Sequence, residues 1–90
     1  MNFLDLVLRE RERQDRKWGQ QEHDDGKWSR ILLEEVGEVC KASLEEDAQG
    51  VWDELIQIAA VVVAWSEAID RKSTRLNSSH IQKSRMPSSA

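Results

Sequence analysis

The 90-residue sequence predicts an all-α fold: a small bundle of three main helices, completed by oligomerisation. Three observations carry this. The only proline is Pro87, no useful length of residues 1–69 alternates with period two, and apolar residues recur at i, i+3 and i+4 instead. The first helix is expected from about Phe3 to Trp18, with Phe3, Leu4, Val7 and Leu8 as its apolar face and Gly19 placed to end it. Its later half, "RERERQDRK", is charged nearly all round and reads as a solvated surface laced with i,i+4 pairs. "GQQEHDDG", 19–26, is a polar loop, and Asp25 and Ser29 are the candidate caps of the next helix.

The second helix is expected from about Lys27 to Leu44. At about 100° per residue, Leu33, Val36, Val39, Cys40 and Leu44 form its main apolar arc. Glu35 and Glu38 fall between Ile31 and Ala42 on one i, i+4, i+7, i+11 line, a stripe that normally faces another helix, while Glu34 sits further out towards Lys41. "EEDAQG" then makes a short turn with Asp47 as cap, and a third helix is expected from about Gln49 to Ile69. Its "IAAVVVAW" is apolar on every side, which predicts the central, enclosed helix. Glu54 and Gln57 project on one line with Val61, Ala64 and Ala68, so a carboxylate and an amide are directed into protein; Asp53 lies to one side.

Two pairs spaced three apart, Glu35/Glu38 and Glu54/Gln57, thus occur on adjacent helices joined by a short loop. Bringing such carboxylates together in a partly desolvated place is strongly unfavourable unless a cation joins them. Oxygen ligands select hard ions, which points to Mg²⁺ or Mn²⁺, with waters and substrate phosphates filling the remaining positions. A di-iron bundle would need Glu-x-x-His, which neither His23 nor His80 supplies, and no Gly-x-x-x-x-Gly-Lys-Ser/Thr loop is present.

Charge and composition narrow the setting. Residues 1–69 hold 8 Lys and Arg against 16 Asp and Glu, a net of −8, which argues against non-specific nucleic-acid or membrane-surface binding. With the lone Cys40 read as a small buried residue, no disulfide framework exists, and a cytoplasmic protein is expected. No charged-then-apolar leader is expected at the start, and Ile58 to Trp65 is far too short to span a bilayer. From Asp70 onward the character changes. "DRKSTRLNSSH" at 70–80 resembles the translation of a widely used short-read sequencing adapter, and "SRMPSSA" at 84–90 its downstream end. Residues 70–90 are therefore read as a non-native, disordered tail and 1–69 as the domain. So small a core is marginal without a metal or a partner chain.

"ILLEEVGEVCKASLEED" followed by "VWDELIQIAAVVVAW" resembles the MazG-like all-α nucleoside triphosphate pyrophosphohydrolases, particularly small stand-alone phage and actinobacterial forms, and "RQDRKWGQQEHDDG" is similar to their N-terminal segment. The resemblance implies hydrolysis of a nucleoside triphosphate to monophosphate and pyrophosphate with Mg²⁺, in a homodimer or homotetramer. It maps the family's Glu-x-x-Glu onto Glu35 and Glu38, and its later Glu-x-x-Asp onto Glu54 and Gln57, as metal ligands. Gln57 departs from the usual aspartate and removes a negative charge, which Asp53 is the neighbouring candidate to replace. Glu34 is the candidate for activating water. Lys17, Arg16 and Arg13 are candidates to reach the triphosphate, and Trp18 and Trp28, which flank the polar loop, to hold a base; Trp65 is expected in the core and Trp52 at an interface. The alternative is a non-catalytic nucleotide-binding or dimerisation module whose site is degenerate at Gln57.

Overall fold

The computed structural model describes residues 1–76, side chains of 74–76 excepted, as three helices: α1 (Phe3–Trp18), α2 (Asp25–Leu44) and α3 (Ala48–Leu76). No strand occurs among the described residues. α1 has the expected bounds because both ends are chemically marked. The Asn2 side chain accepts from the Asp5 amide while Asp5 reaches back to the Asn2 amide, a reciprocal capping box. Gly19, at φ +74, leaves the helix in a conformation that an L side chain resists. α2 starts two residues early: Asp24, not Asp25 or Ser29, caps it by accepting from the Lys27 amide at 2.8 Å. Asp25 is freed for the first turn, where its carboxylate accepts from Trp65 Nε1 at 3.0 Å.

The α2–α3 turn is tight. Glu46 takes φ +57, and the Asp47 amide returns to the Ala42 carbonyl at 2.9 Å, closing the C-terminus of α2. Asp47 then caps α3 as expected, accepting from the Gly50 amide at 2.9 Å. A Cβ at Gly50 would collide with the Asp47 carboxylate and press on Ala42. Gly50→Ala should therefore cost about 1–2 kcal/mol through the broken cap, read as a lowered urea midpoint with an unchanged m-value.

α3 is central: α1 and α2 each pack on it and not on one another. Val61 and Ala68 of α3 meet Trp28 of α2, with Ile31, Leu32, Ala64 and Trp65 around them. Trp65 thus joins the core edge as expected, and Trp52 meets Phe3 edge-on at 5.3 Å between α3 and α1. The predicted main arc of α2 does not form that core. Leu33 is 69% and Leu44 86% exposed, and Val36 and Cys40 are exposed as well. The stripe through Trp28, Ile31, Glu35 and Ala42 turns inward in its place. With one neighbour, a helix buries one stripe only, and small Ala42 and flat Trp28 let α3 approach where bulky Leu33 and Leu44 would not. On α1, Leu4 and Leu8 likewise face out while Phe3, Leu6 and Val7 face α3.

α3 also runs seven residues past the expected end at Ile69, through a stretch with no glycine or proline to stop it. Arg71 there bonds Glu22 at 2.9 Å and the Gln21 carbonyl at 3.2 Å, tying the α1–α2 loop to α3. The rest of the segment read as tail, 77–90, and His80 with it, lies outside the described residues. No helix among the described residues is long and apolar enough to cross a membrane.

Candidate active site

With α1 and α2 each packed on α3 and not on one another, an open cleft of about 540 Å³ lies between them, within the range of small-molecule sites. α1 contributes Arg11, Gln14, Asp15 and Trp18; the loop Gln20, Gln21 and His23; α2 Trp28, Ile31 and Glu35; and α3 Gln57, Val61, Ala64, Glu67 and Arg71. Its floor is apolar and its walls carry both signs of charge.

The acid stripe of α2 behaves as two halves. Glu35 turns inward and its carboxyl hydrogen-bonds that of Glu54 on α3. Burial first, then the contact with Glu54 and the charges of Glu38 and Glu34, push the Glu35 pKa up to about 7. A protonated Glu35 carboxyl can donate to a neighbouring carboxylate that an ionised one would only repel, which is the physical sense of the raised value. Glu38 and Glu34 are exposed and act on Glu35 through space. Among the described residues no group of three or more His, Cys, Asp or Glu side chains is arranged to hold a metal. The donor chemistry fits a hard divalent ion as a two-carboxylate seat, leaving positions for water and phosphate oxygens; it is not a closed cage.

Gln57 lines the cleft, but its amide is engaged by α1. Its Oε1 accepts a long bond from Gln14 Nε2 at 3.4 Å, and its proximity helps to hold the Glu10 carboxyl below its ordinary value. Glu10 also accepts from Gln14 at 3.1 Å and from Arg13 at 2.7 and 2.9 Å, and the Arg13 guanidinium foremost holds its carboxyl below the ordinary value. Asp53 stands apart, exposed and bonded to Gln49 at 2.9 Å, in a separate groove between α1 and α3 that Arg9, Arg13 and Arg16 also line.

The aromatic candidates separate as well. Trp18 is 55% exposed at the cleft wall, with the Lys17 ammonium 4.8 Å and the Arg13 guanidinium 5.9 Å from its ring centroid. Trp28 is 3% exposed, stacked beside Trp65 at 6.4 Å and touched edge-on by His23 at 4.9 Å, so it forms floor and offers no free face for a base to be sandwiched against. Lys17 itself does not line the cleft.

Sequence reasoning missed Arg11 and His23. The Arg11 side chain is 12% exposed and its guanidinium is fixed by Glu67 at 2.7 Å, Asp15 at 3.1 Å and Gln14 at 3.3 Å. Burial depresses its pKa, but the bonds to Glu67 and Asp15 outweigh that and leave it raised. The signal was available: continuing from Val7 at i+4, i+7 and i+11 reaches Arg11, Gln14 and Trp18, so the inward stripe persists through the charged half of α1. His23 lies in the loop as expected, yet it is half-buried against Trp28 and bonded to Gln21 at 2.7 Å.

This all-α chain, with acidic side chains on adjacent helices beside an open cleft, is of the class of the MazG-like pyrophosphohydrolases. Within it, the family model described as phosphoribosyl-ATP pyrophosphohydrolase matches residues 2–65, most of the chain, and the protein belongs to that family. No curated protein and no solved structure matches the chain.

Proposed function

We propose that the chain is a Mg²⁺-dependent nucleotide pyrophosphohydrolase that cleaves the α–β phosphoanhydride of a nucleoside triphosphate, releasing pyrophosphate. The observation that carries this is the Glu35–Glu54 carboxyl pair beside a nucleotide-sized cleft, in a chain of a pyrophosphohydrolase family. Glu35 and Glu54 would hold the metal, with Glu38 the further carboxylate of the set. When bound, Mg²⁺ or Mn²⁺ neutralises phosphate charge and makes the α-phosphorus more open to attack. Glu34 would accept the proton of the attacking water, Arg11 would meet phosphate oxygens, and Trp18 would stack on the base, while Lys17, outside the cleft, would act only through its charge beside Trp18. The family's description also makes phosphoribosyl-ATP a substrate to include.

The working domain is 1–69, it acts in the cytoplasm, and it assembles as a homodimer or homotetramer. The exposed Leu33, Val36, Leu44, Leu55 and Val62 are what assembly would cover. The full chain and residues 1–69 should both release pyrophosphate, not phosphate, from at least one nucleotide in a panel of triphosphates plus phosphoribosyl-ATP with Mg²⁺. Failure with every member removes the enzymatic reading.

One observation favours the alternative, a nucleotide-binding module without turnover: position 57 carries an amide engaged by Gln14 of α1, leaving α3 the single carboxylate of Glu54 towards Glu35. That reading predicts a Tm raised by nucleotide and Mg²⁺ together, with no product formed.

A further inference from the structure

Among the described residues two buried side-chain N–H groups have no partner, Arg11 Nε and Trp28 Nε1, and both residues line the cleft. Both are donors, so this part of the cleft wall is short of acceptors. At Arg11 the shortage sits beside a surplus. Its Nη2 donates to two carboxylates at once, Glu67 at 2.7 Å and Asp15 at 3.1 Å, and its Nη1 reaches Gln14 at 3.3 Å, while Nε is shut in and bonded to nothing. Arg13 on the same helix shows the ordinary arrangement, with Nε and Nη2 gripping the one Glu10 carboxylate side-on at 2.9 and 2.7 Å. The carboxylates at Arg11 arrive from different helices, Asp15 from one turn further along α1 and Glu67 from α3, and neither bonds the Nε side.

The three side chains also differ in freedom. The Arg11 side chain is 12% exposed, against 55% for Asp15 and 47% for Glu67, so the guanidinium is the fixed member and Glu67 can swing into water at little cost. An oxyanion that took the place of Glu67 would let the guanidinium turn its Nε–Nη2 edge to it, giving Nε a partner and exchanging one charge-assisted bond for another. A singly charged anion gains little, because it replaces Glu67 like for like. A phosphoryl group with two or more negative charges gains more.

We infer that Arg11 is the oxyanion subsite of the cleft and that Glu67 is its resident competitor: a carboxylate that occupies Arg11 Nη2 until a multiply charged phosphoryl group displaces it, and that thereby restricts the subsite to such ligands. Glu67 is thus a specificity-determining residue that acts by giving way. The inference rests on the reading of the cleft as the site of a phosphorylated ligand, and it uses neither a metal nor the acid pair.

The experiment is titration calorimetry of the full-length protein with inorganic tripolyphosphate, in the presence of chelator, on a double-mutant cycle of Glu67→Gln and Arg11→Lys. Glu67→Gln keeps the length of the side chain and an acceptor for Arg11 but removes the charge, and should bind tripolyphosphate about tenfold more tightly than the unsubstituted protein. Arg11→Lys keeps the charge but has no planar fork, and should bind about tenfold more weakly. In the Arg11→Lys background the gain from Glu67→Gln should vanish. Glu67→Asp, which keeps the charge but draws it back by one methylene, should also tighten binding, by about threefold. Because Glu67 is half exposed, thermal melting should show the fold retained in both of its variants.

Unchanged tripolyphosphate affinity in both Glu67 variants would overturn the inference and leave Glu67 a structural tie between α1 and α3. The same gain in the Arg11→Lys background would overturn it as well, by showing a general effect of charge. Absence of binding by all of these proteins would remove the subsite itself. The metal-dependent reaction stands or falls separately, on pyrophosphate release.

Discussion

Glu35→Gln is expected to reduce Mg²⁺-supported pyrophosphate release by about a hundredfold or more, while making the metal-free protein more stable at neutral and alkaline pH. Both effects come from one group. As a carboxylate, Glu35 is half-buried against Glu54 and under the field of Glu34 and Glu38, so its ionised form is costly without a cation. An amide of the same shape carries no charge and donates to Glu54 through its NH₂, so the contact survives without the shared proton. The cation would lose one of its anionic ligands, and the activity that depends on it falls. Glu54→Gln should behave alike. Glu38→Gln should lower activity with little change in stability, since its carboxylate is already exposed. Pyrophosphate release and thermal melting of the same preparations check this. An activity within a few-fold of the parent for Glu35→Gln would mean that the carboxyl pair is not the reaction centre.

That prediction relies on features legible in the sequence to different degrees. The bounds of α1 were legible because its ends carry chemical punctuation: Gly19 closes the helix whatever packs around it. The inward turn of Glu35 was legible because it shares a stripe with Ile31 and Ala42, and a stripe is a geometric consequence of the helix. Glu38 shares that stripe and stays exposed, because which members of a line reach the neighbouring helix depends on where the two axes cross, and no local pattern encodes the crossing.

The arc of Leu33, Val36, Cys40 and Leu44 was misassigned to the core for a related reason. Hydrophobicity tells that a surface is to be covered, not whether by this chain or by something else, and the intramolecular core was taken by Trp28 and Ala42, whose shapes allow close approach. Arg11 was hidden by its own charge. In "RERERQDRK" every residue looks solvated, and it takes Glu67 of α3, a pairing 56 residues distant in sequence, beside the local Asp15, to hold that guanidinium in a half-buried place. The engagement of Gln57 by Gln14 is likewise a contact between distant segments. From its own helix, Gln57 showed a direction but not what waited there.

The metal-free protein is expected to lose stability as pH rises from about 5 to about 8, the reverse of ordinary acid denaturation. Folded, Glu35 keeps its proton up to about pH 7; an unperturbed carboxyl releases it near 4.5. Between those values the native state binds the extra proton. The stabilising contribution is thus complete below the unfolded pKa and is lost as pH climbs through the folded one. Partial solvent access at the cleft screens the group, so the loss should be roughly 1–2 kcal/mol, less than the full shift would give. In a domain this small that amounts to roughly 5–10 °C in melting temperature.

Glu10 runs the other way. Its pKa is lowered, chiefly by Arg13, so its contribution is present above its unfolded pKa and disappears as the solution is acidified below it. The two together predict a stability maximum near pH 5 in the absence of metal. Mg²⁺ should flatten the alkaline side of that maximum, because an ion bound by the two carboxylates replaces the proton they share. Melting curves across this range, with chelator and then with Mg²⁺, give the comparison. A metal-free profile that is level or rising between about pH 5 and 8, or one that Mg²⁺ leaves unchanged, would show that Glu35 ionises as freely as a carboxyl in water and that the pair is not strained towards a cation.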